Sequence, residues 1–100
     1  MGKDSINLAA LADFFTAQPI KRVWLFGSYA DGDASPDSDV DLLVEYDYSQ
    51  KIGLLKHAEI LSTLEEILHK VVDLVPIEAL RPSLRPYVDS NKIKIYERSA

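Results

Sequence analysis

Apolar residues at Ile6, Leu8, Ala9, Leu11, Ala12 and Phe15 recur at helical spacing, with Asp4 or Ser5 placed to cap the helix and Pro19 to stop it. Lys21 and Arg22 lead into a short apolar run, residues 23–26, that reads as a strand. Trp24 in that run reads as core or half-buried packing rather than a base-stacking platform. A helical turn over residues 29–31 and a turn-rich loop over residues 33–38, its acids solvated, separate this strand from a second one beginning at Val40. In that second strand Val40, Leu42 and Val44 share one face, and residues 46–50 break the pattern. Residues 52–69 then read as a long helix. Its expected buried stripe is Leu54, Leu55, Ala58, Leu61, Leu64 and Leu68, with Lys56, Glu59, Glu65 and Glu66 on the wet face. His57 and His69 read as surface histidines on the same helix.

A third strand over residues 71–75 is closed by Pro76. Ser83 is placed to cap a short helix that tolerates Pro86 in its first turn and ends near Ser90, and residues 92–96 alternate as a last strand. This order predicts an α/β (α+β) fold, a small mixed β-sheet with helices packed against it, as one domain over residues 1–100.

Composition narrows the picture. Hydrophobic residues make up 47% of the 100, enough for a packed core and too many for a disordered chain. Sixteen acids against 11 bases give a net charge of −5, the wrong sign for a free-standing nucleic-acid binder and the right one for metal ions or a basic protein partner. Arg81, Arg85, Lys92, Lys94 and Arg98 gather near the C-terminus, where a solvated surface is the expected role for most. With no cysteine there is no disulfide or zinc–thiolate site. No apolar run reaches the ~18–20 residues of a membrane span and no signal-peptide pattern precedes the first helix, so the expected location is cytoplasmic.

The stretch from Gly27 to Val44 carries the chemistry. Gly27 and Ser28 close the first strand; Gly allows close backbone approach and Ser adds a hydroxyl beside N–H groups that can cradle phosphate. Ten residues later comes Asp39-Val40-Asp41. In a strand these two carboxylates point the same way with Cα atoms about 6.5–7 Å apart. That separation lets them share two divalent ions about 3.5–4 Å apart. Asp73 is the lone acid in the third apolar strand and costly to desolvate unless paired, which makes it the expected third ligand. Glu45 shares Asp41's parity but lies about 13 Å along the strand, and Asp47 falls past the strand's end.

Gly27-Ser28, the ten-residue gap and Asp39-Val40-Asp41 resemble the signature of the DNA polymerase beta-like nucleotidyltransferase superfamily, from about Val23 to Val75 and more loosely to the C-terminus. The short chain is most similar to the minimal nucleotidyltransferases, the MntA-type antitoxins. The resemblance implies a nucleotidyltransferase fold and a transferase that moves AMP from ATP to a hydroxyl and releases pyrophosphate. Asp39, Asp41 and Asp73 would be its catalytic and metal-binding residues, holding two Mg²⁺ ions, and Gly27 and Ser28 would hold the nucleotide's phosphates. No covalent enzyme intermediate is required, because positioning and charge neutralisation carry such transfers.

The implied partner is a HEPN-domain ribonuclease toxin, silenced by AMP on a tyrosine; it would supply the base- or acceptor-binding surface that larger relatives carry as a helical domain. Asp31 departs from the family pattern, where Arg is common before the glycine at Gly32, and an acid there disfavours a triphosphate unless it points outward. Two other readings stand beside this one: a non-catalytic antitoxin that binds and occludes its partner, and a transferase acting on a small hydroxylic substrate such as an aminoglycoside.

Overall fold

A computed structural model describes residues 6–35 and 37–99. The first helix, α1 (Leu8–Thr16), is capped by Asn7, whose side-chain oxygen accepts the Ala10 N–H at 3.1 Å; Asp4 and Ser5, expected in that role, lie outside the described residues. Strand β1 (Ile20–Phe26) begins at Ile20 rather than Val23, because Ile20 is itself fully buried, and so Lys21 and Arg22 are strand residues. A single helical turn, α2 (Ser28–Asp31), leads through Gly32 and the loop into β2 (Val40–Tyr46). This strand runs to Tyr46 rather than breaking there, since the Tyr46 ring is buried.

Helix α3 (Leu54–Leu68) crosses over to β3 (Val72–Pro76). Two 3₁₀ turns, Ile77–Ala79 and Pro82–Leu84, precede α4 (Arg85–Asn91) and β4 (Ile93–Glu97). Ser83 therefore sits inside a 3₁₀ turn and does not cap α4, which starts after Leu84 without a side-chain cap.

The strands form one mixed sheet, as the pattern predicts, and their order is β3-β2-β1-β4. β1 runs antiparallel to β2 and β4, whereas β2 and β3 are parallel, the arrangement a helical crossover allows. Strand alternation sorts the side chains. Val23 and Leu25, Val40, Leu42 and Val44, and Val72 and Leu74 join Leu11 and Phe15 of α1 and Ile60 and Leu64 of α3 in the core. The opposite parity places Trp24, Leu43 and Val75 side by side on the other face by register. Trp24 is half-buried there, with the Lys92 ammonium 5.0 Å from the ring centre.

The stripe of α3 differs from expectation. Leu54 and Leu55 are 85% and 75% exposed, and Ala58 is exposed too. The helix starts at Leu54, and its inward face runs through Ile60, Leu61, Leu64, Ile67 and Leu68. Glu65 is not simply solvated, for its carboxylate accepts the Val72 N–H at 3.0 Å and fixes the entry to β3. His69 is exposed and closes the helix in a left-handed conformation, φ 54°. His57 is half-buried, its Nδ1 2.8 Å from the Tyr46 hydroxyl. Among the described residues no helix is long and apolar enough to cross a membrane.

Candidate active site

The candidate residues meet where β1 ends and β2 and β3 begin. Register alone does most of the work. Phe26 lies opposite Asp41, so the Gly27 that follows borders Asp41, and Asp41 is paired directly with Asp73 across the parallel strands. The two acids thus stand on neighbouring strands and on the same sheet face, away from α1 and α3. Asp39 precedes β2 and is exposed; the next residue, Val40, donates its N–H to the Val71 carbonyl at 2.9 Å, tying this end of β2 to β3. Asp73 is exposed on an edge strand rather than desolvated in mid-sheet, so proximity to Asp41, not burial, is what sets it apart.

Gly27 makes the close approach possible. Its φ is +74°, and a Cβ built on it would lie 2.0 Å from the Asp41 Oδ2. Only glycine tolerates both the backbone and the carboxylate pressed against it. The Gly27 carbonyl accepts the N–H groups of Ala30 and Asp31 at 3.1 and 3.0 Å, which coils α2 directly after it. Ser28 opens this turn, half-buried beside the acids. The following loop is closed by a reciprocal pair: Ser35 donates its N–H to the Ser38 Oγ at 2.9 Å, and Ser38 returns its own N–H to the Ser35 carbonyl at 3.0 Å.

The electrostatics follow from crowding. Partial burial pushes the Asp41 carboxyl above its ordinary value, and the neighbouring charges of Asp73 and then Asp39 add to the shift. Three carboxylate groups that repel one another, with hard oxygen donors and no sulfur or imidazole, suit a hard divalent cation such as Mg²⁺. Among the described residues no group of three or more His, Cys, Asp or Glu side chains stands ready to hold a metal ion by itself. An open set also fits Mg²⁺, which keeps waters and takes substrate oxygens rather than filling an all-protein cage.

Two contacts at this end of the sheet are invisible in the sequence pattern. Tyr87 of α4 donates its hydroxyl to the Asp31 Oδ2, so Asp31 is turned toward α4. Glu65 holds the start of β3 one residue before Asp73. Neither has a sequence signature: Tyr87 and Asp31 are 56 residues apart, and Glu65 is an ordinary-looking helix residue whose side chain reaches past the helix end to the Val72 backbone. Four of the five candidate C-terminal bases are in ion pairs: Arg85 and Lys92 with Asp89, Lys94 with Glu97, and Arg98 with Asp47.

A family model described as a nucleotidyltransferase domain matches residues 8–98. A protein of Methanocaldococcus jannaschii named as a candidate protein adenylyltransferase is 36% identical over 69 residues, covering 69% of this chain and 66% of that protein. The protein adenylyltransferase MntA of Thermococcus cleftensis is 40% identical over 65 residues, covering 65% of this chain and 64% of its own. The matched region thus spans just under two thirds of these two relatives. In three dimensions the chain superposes, with a TM-score of 0.66 and 19% identity, on a chain from the structure of a tri-AMPylated Shewanella oneidensis HEPN toxin in complex with MNT antitoxin, covering 92% of this chain and 71% of that one. That likeness is one of fold.

Proposed function

The chain belongs to the nucleotidyltransferase domain family, and from that membership we propose that it is one minimal nucleotidyltransferase domain that transfers AMP from ATP to a hydroxyl of a HEPN-type toxin, most simply a tyrosine, as the antitoxin of the pair. The observation that carries this reading is the direct pairing of Asp41 with Asp73 across β2 and β3, beside a Gly27 that has no room for a side chain. The names of the Thermococcus and Shewanella proteins supply the rest of the reading: protein adenylylation in one, and an AMP-modified HEPN toxin with its antitoxin in the other.

In this reading each residue has a part. Gly27 and Ser28 cradle the triphosphate with the backbone and hydroxyl of the turn that opens α2. Asp39, Asp41 and Asp73 would hold Mg²⁺, which when bound neutralises phosphate charge and makes the acceptor hydroxyl more acidic. Asp73, exposed at the sheet edge, lies on the side an acceptor can reach and takes up its proton. Asp31 is not a bare charge facing the incoming phosphates, because its carboxylate accepts the Tyr87 hydroxyl.

The test is incubation with the HEPN-type partner, Mg²⁺ and ATP labelled at either the α or the γ phosphorus. Label from the α position should appear on the partner and label from the γ position should not. Label from the γ position alone would mean a kinase. Silencing of the partner without label would mean neutralisation by occlusion.

A further inference from the structure

Tyr87 presents its hydroxyl to the α2 turn, the turn that begins at the candidate site. It is 49% exposed, and its hydroxyl donates to Asp31 at the end of the α2 turn that begins with Ser28. That bond above all, then partial burial, and after them the charges of Asp31, Asp33 and Asp41, raise the pKa of the Tyr87 hydroxyl. The placement is firm. The next residue, Val88, is 2% exposed and anchors α4, the Asn91 side chain donates to the Tyr87 carbonyl at 2.8 Å, and Arg85 and Lys92 brace the helix through Asp89.

The other four tyrosines are differently placed. The Tyr29 hydroxyl is buried without a partner, Tyr46 is buried and bonded to His57, Tyr48 donates to Glu78, and the Tyr96 ring packs 5.5 Å from that of Phe15. Tyr46 and Tyr48 lie at or beyond the far end of β2, about 16 Å of strand away from Asp41. Of the five tyrosines in the chain, Tyr87 alone presents an exposed hydroxyl bonded to an acid of the α2 turn.

Given the AMP transfer proposed above, on which this depends, we infer that Tyr87 is a self-modification site: the chain adenylylates its own Tyr87 from ATP. The phenolic oxygen of Tyr87 attacks the α-phosphorus and forms an O–P bond. The bond from that phosphorus to the oxygen bridging to the β-phosphate breaks, and pyrophosphate leaves. The phenolic proton passes to the Asp31 carboxylate, its hydrogen-bond acceptor, and from there to water. The product carries a nucleotide tethered beside Gly27 and Ser28, where it competes with fresh ATP. Self-modification would therefore restrain the enzyme when no partner hydroxyl is on offer.

The full chain is incubated with Mg²⁺ and ATP, and the product is read by intact mass and by mapping the modified residue. The mass of one AMP on Tyr87 is expected, absent in Tyr87→Phe and formed at least about tenfold more slowly in Asp31→Asn. A second readout needs no turnover. A non-transferable analogue, α,β-methylene-ATP, should still bind Tyr87→Phe, and should bind the purified AMP-modified chain at least about tenfold more weakly than the unmodified one. An adduct on another residue, or one that persists in Tyr87→Phe, overturns the assignment. So does loss of analogue binding in Tyr87→Phe, which would make Tyr87 a nucleotide contact. A wild-type chain that labels its partner and never itself overturns self-modification and leaves the transfer reading standing. If neither protein is labelled, both fall.

Discussion

Gly27 and Asp41 form the tightest constraint in the site. A methyl group on Gly27 would occupy the space of the Asp41 carboxylate, and its φ of +74° is itself unfavourable for any other residue. Gly27→Ala should therefore lower stability by roughly 1–3 kcal/mol. It should weaken Mg-ATP binding at the same time, because the displaced carboxylate is a proposed ligand; denaturant melts and a nucleotide titration on the same samples read both. Asp73 separates differently. It is exposed and its charge adds to the crowding at Asp41, so Asp73→Asn should fold well and bind Mg-ATP nearly as tightly. Its AMP transfer should fall by about a hundredfold or more, since what is lost is an interaction made at the acceptor. A matched loss of nucleotide binding would instead make Asp73 a ground-state ligand only.

The elements were unevenly legible in the residues. Alternation in residues 40–44 announces a strand with Asp41 opposite the core, and the parity of Asp73 puts it on the same side. What alternation cannot supply is the partner of each strand, so the face-to-face pairing of Asp41 and Asp73 emerges only from the parallel register. The phase of α3 was misleading for a related reason. Leu54 and Leu55 continue the apolar stripe in sequence, yet both are exposed in the first turn of the helix. Leu64→Ala should then cost about 2–5 kcal/mol, while Leu54→Ala should stay within about 0.5 kcal/mol; equal losses in urea melts would restore the stripe first expected.

The far end of β2 carries a pH-sensitive tie between elements. Asp47, just past the strand, accepts from the Ser49 hydroxyl and N–H and from Arg98, and these bonds, the hydroxyl's foremost, hold its carboxyl down to about 2. A carboxylate lowered on folding stabilises the native chain above its unfolded pKa, about 4. That contribution is lost as pH falls from about 4 toward 2. Asp47→Asn should flatten the acid limb of the melting-temperature profile in that window and change little in its slope near neutrality. An unchanged acid limb would mean that this network contributes nothing.

At the scale of the whole molecule, one side of the sheet is given to stability and one end of the other side to chemistry. Helices α1 and α3 close the core over Val23, Val40 and Leu42, which leaves Asp41 and Asp73 outside the core on the opposite face. The carboxylates can be altered without opening the core, and that makes the central claim directly testable. The decisive measurement is AMP transfer from α-labelled ATP to the HEPN-type partner by the wild type and by the Asp39→Ala, Asp41→Ala double variant, with melting curves recorded on both. The account predicts transfer by the wild type, a loss of at least about a hundredfold in the double variant, and a fold that melts no earlier, since two mutually repelling charges have been removed. Transfer at the wild-type rate by the double variant, or silencing of the partner by both proteins with no label on it, would contradict it.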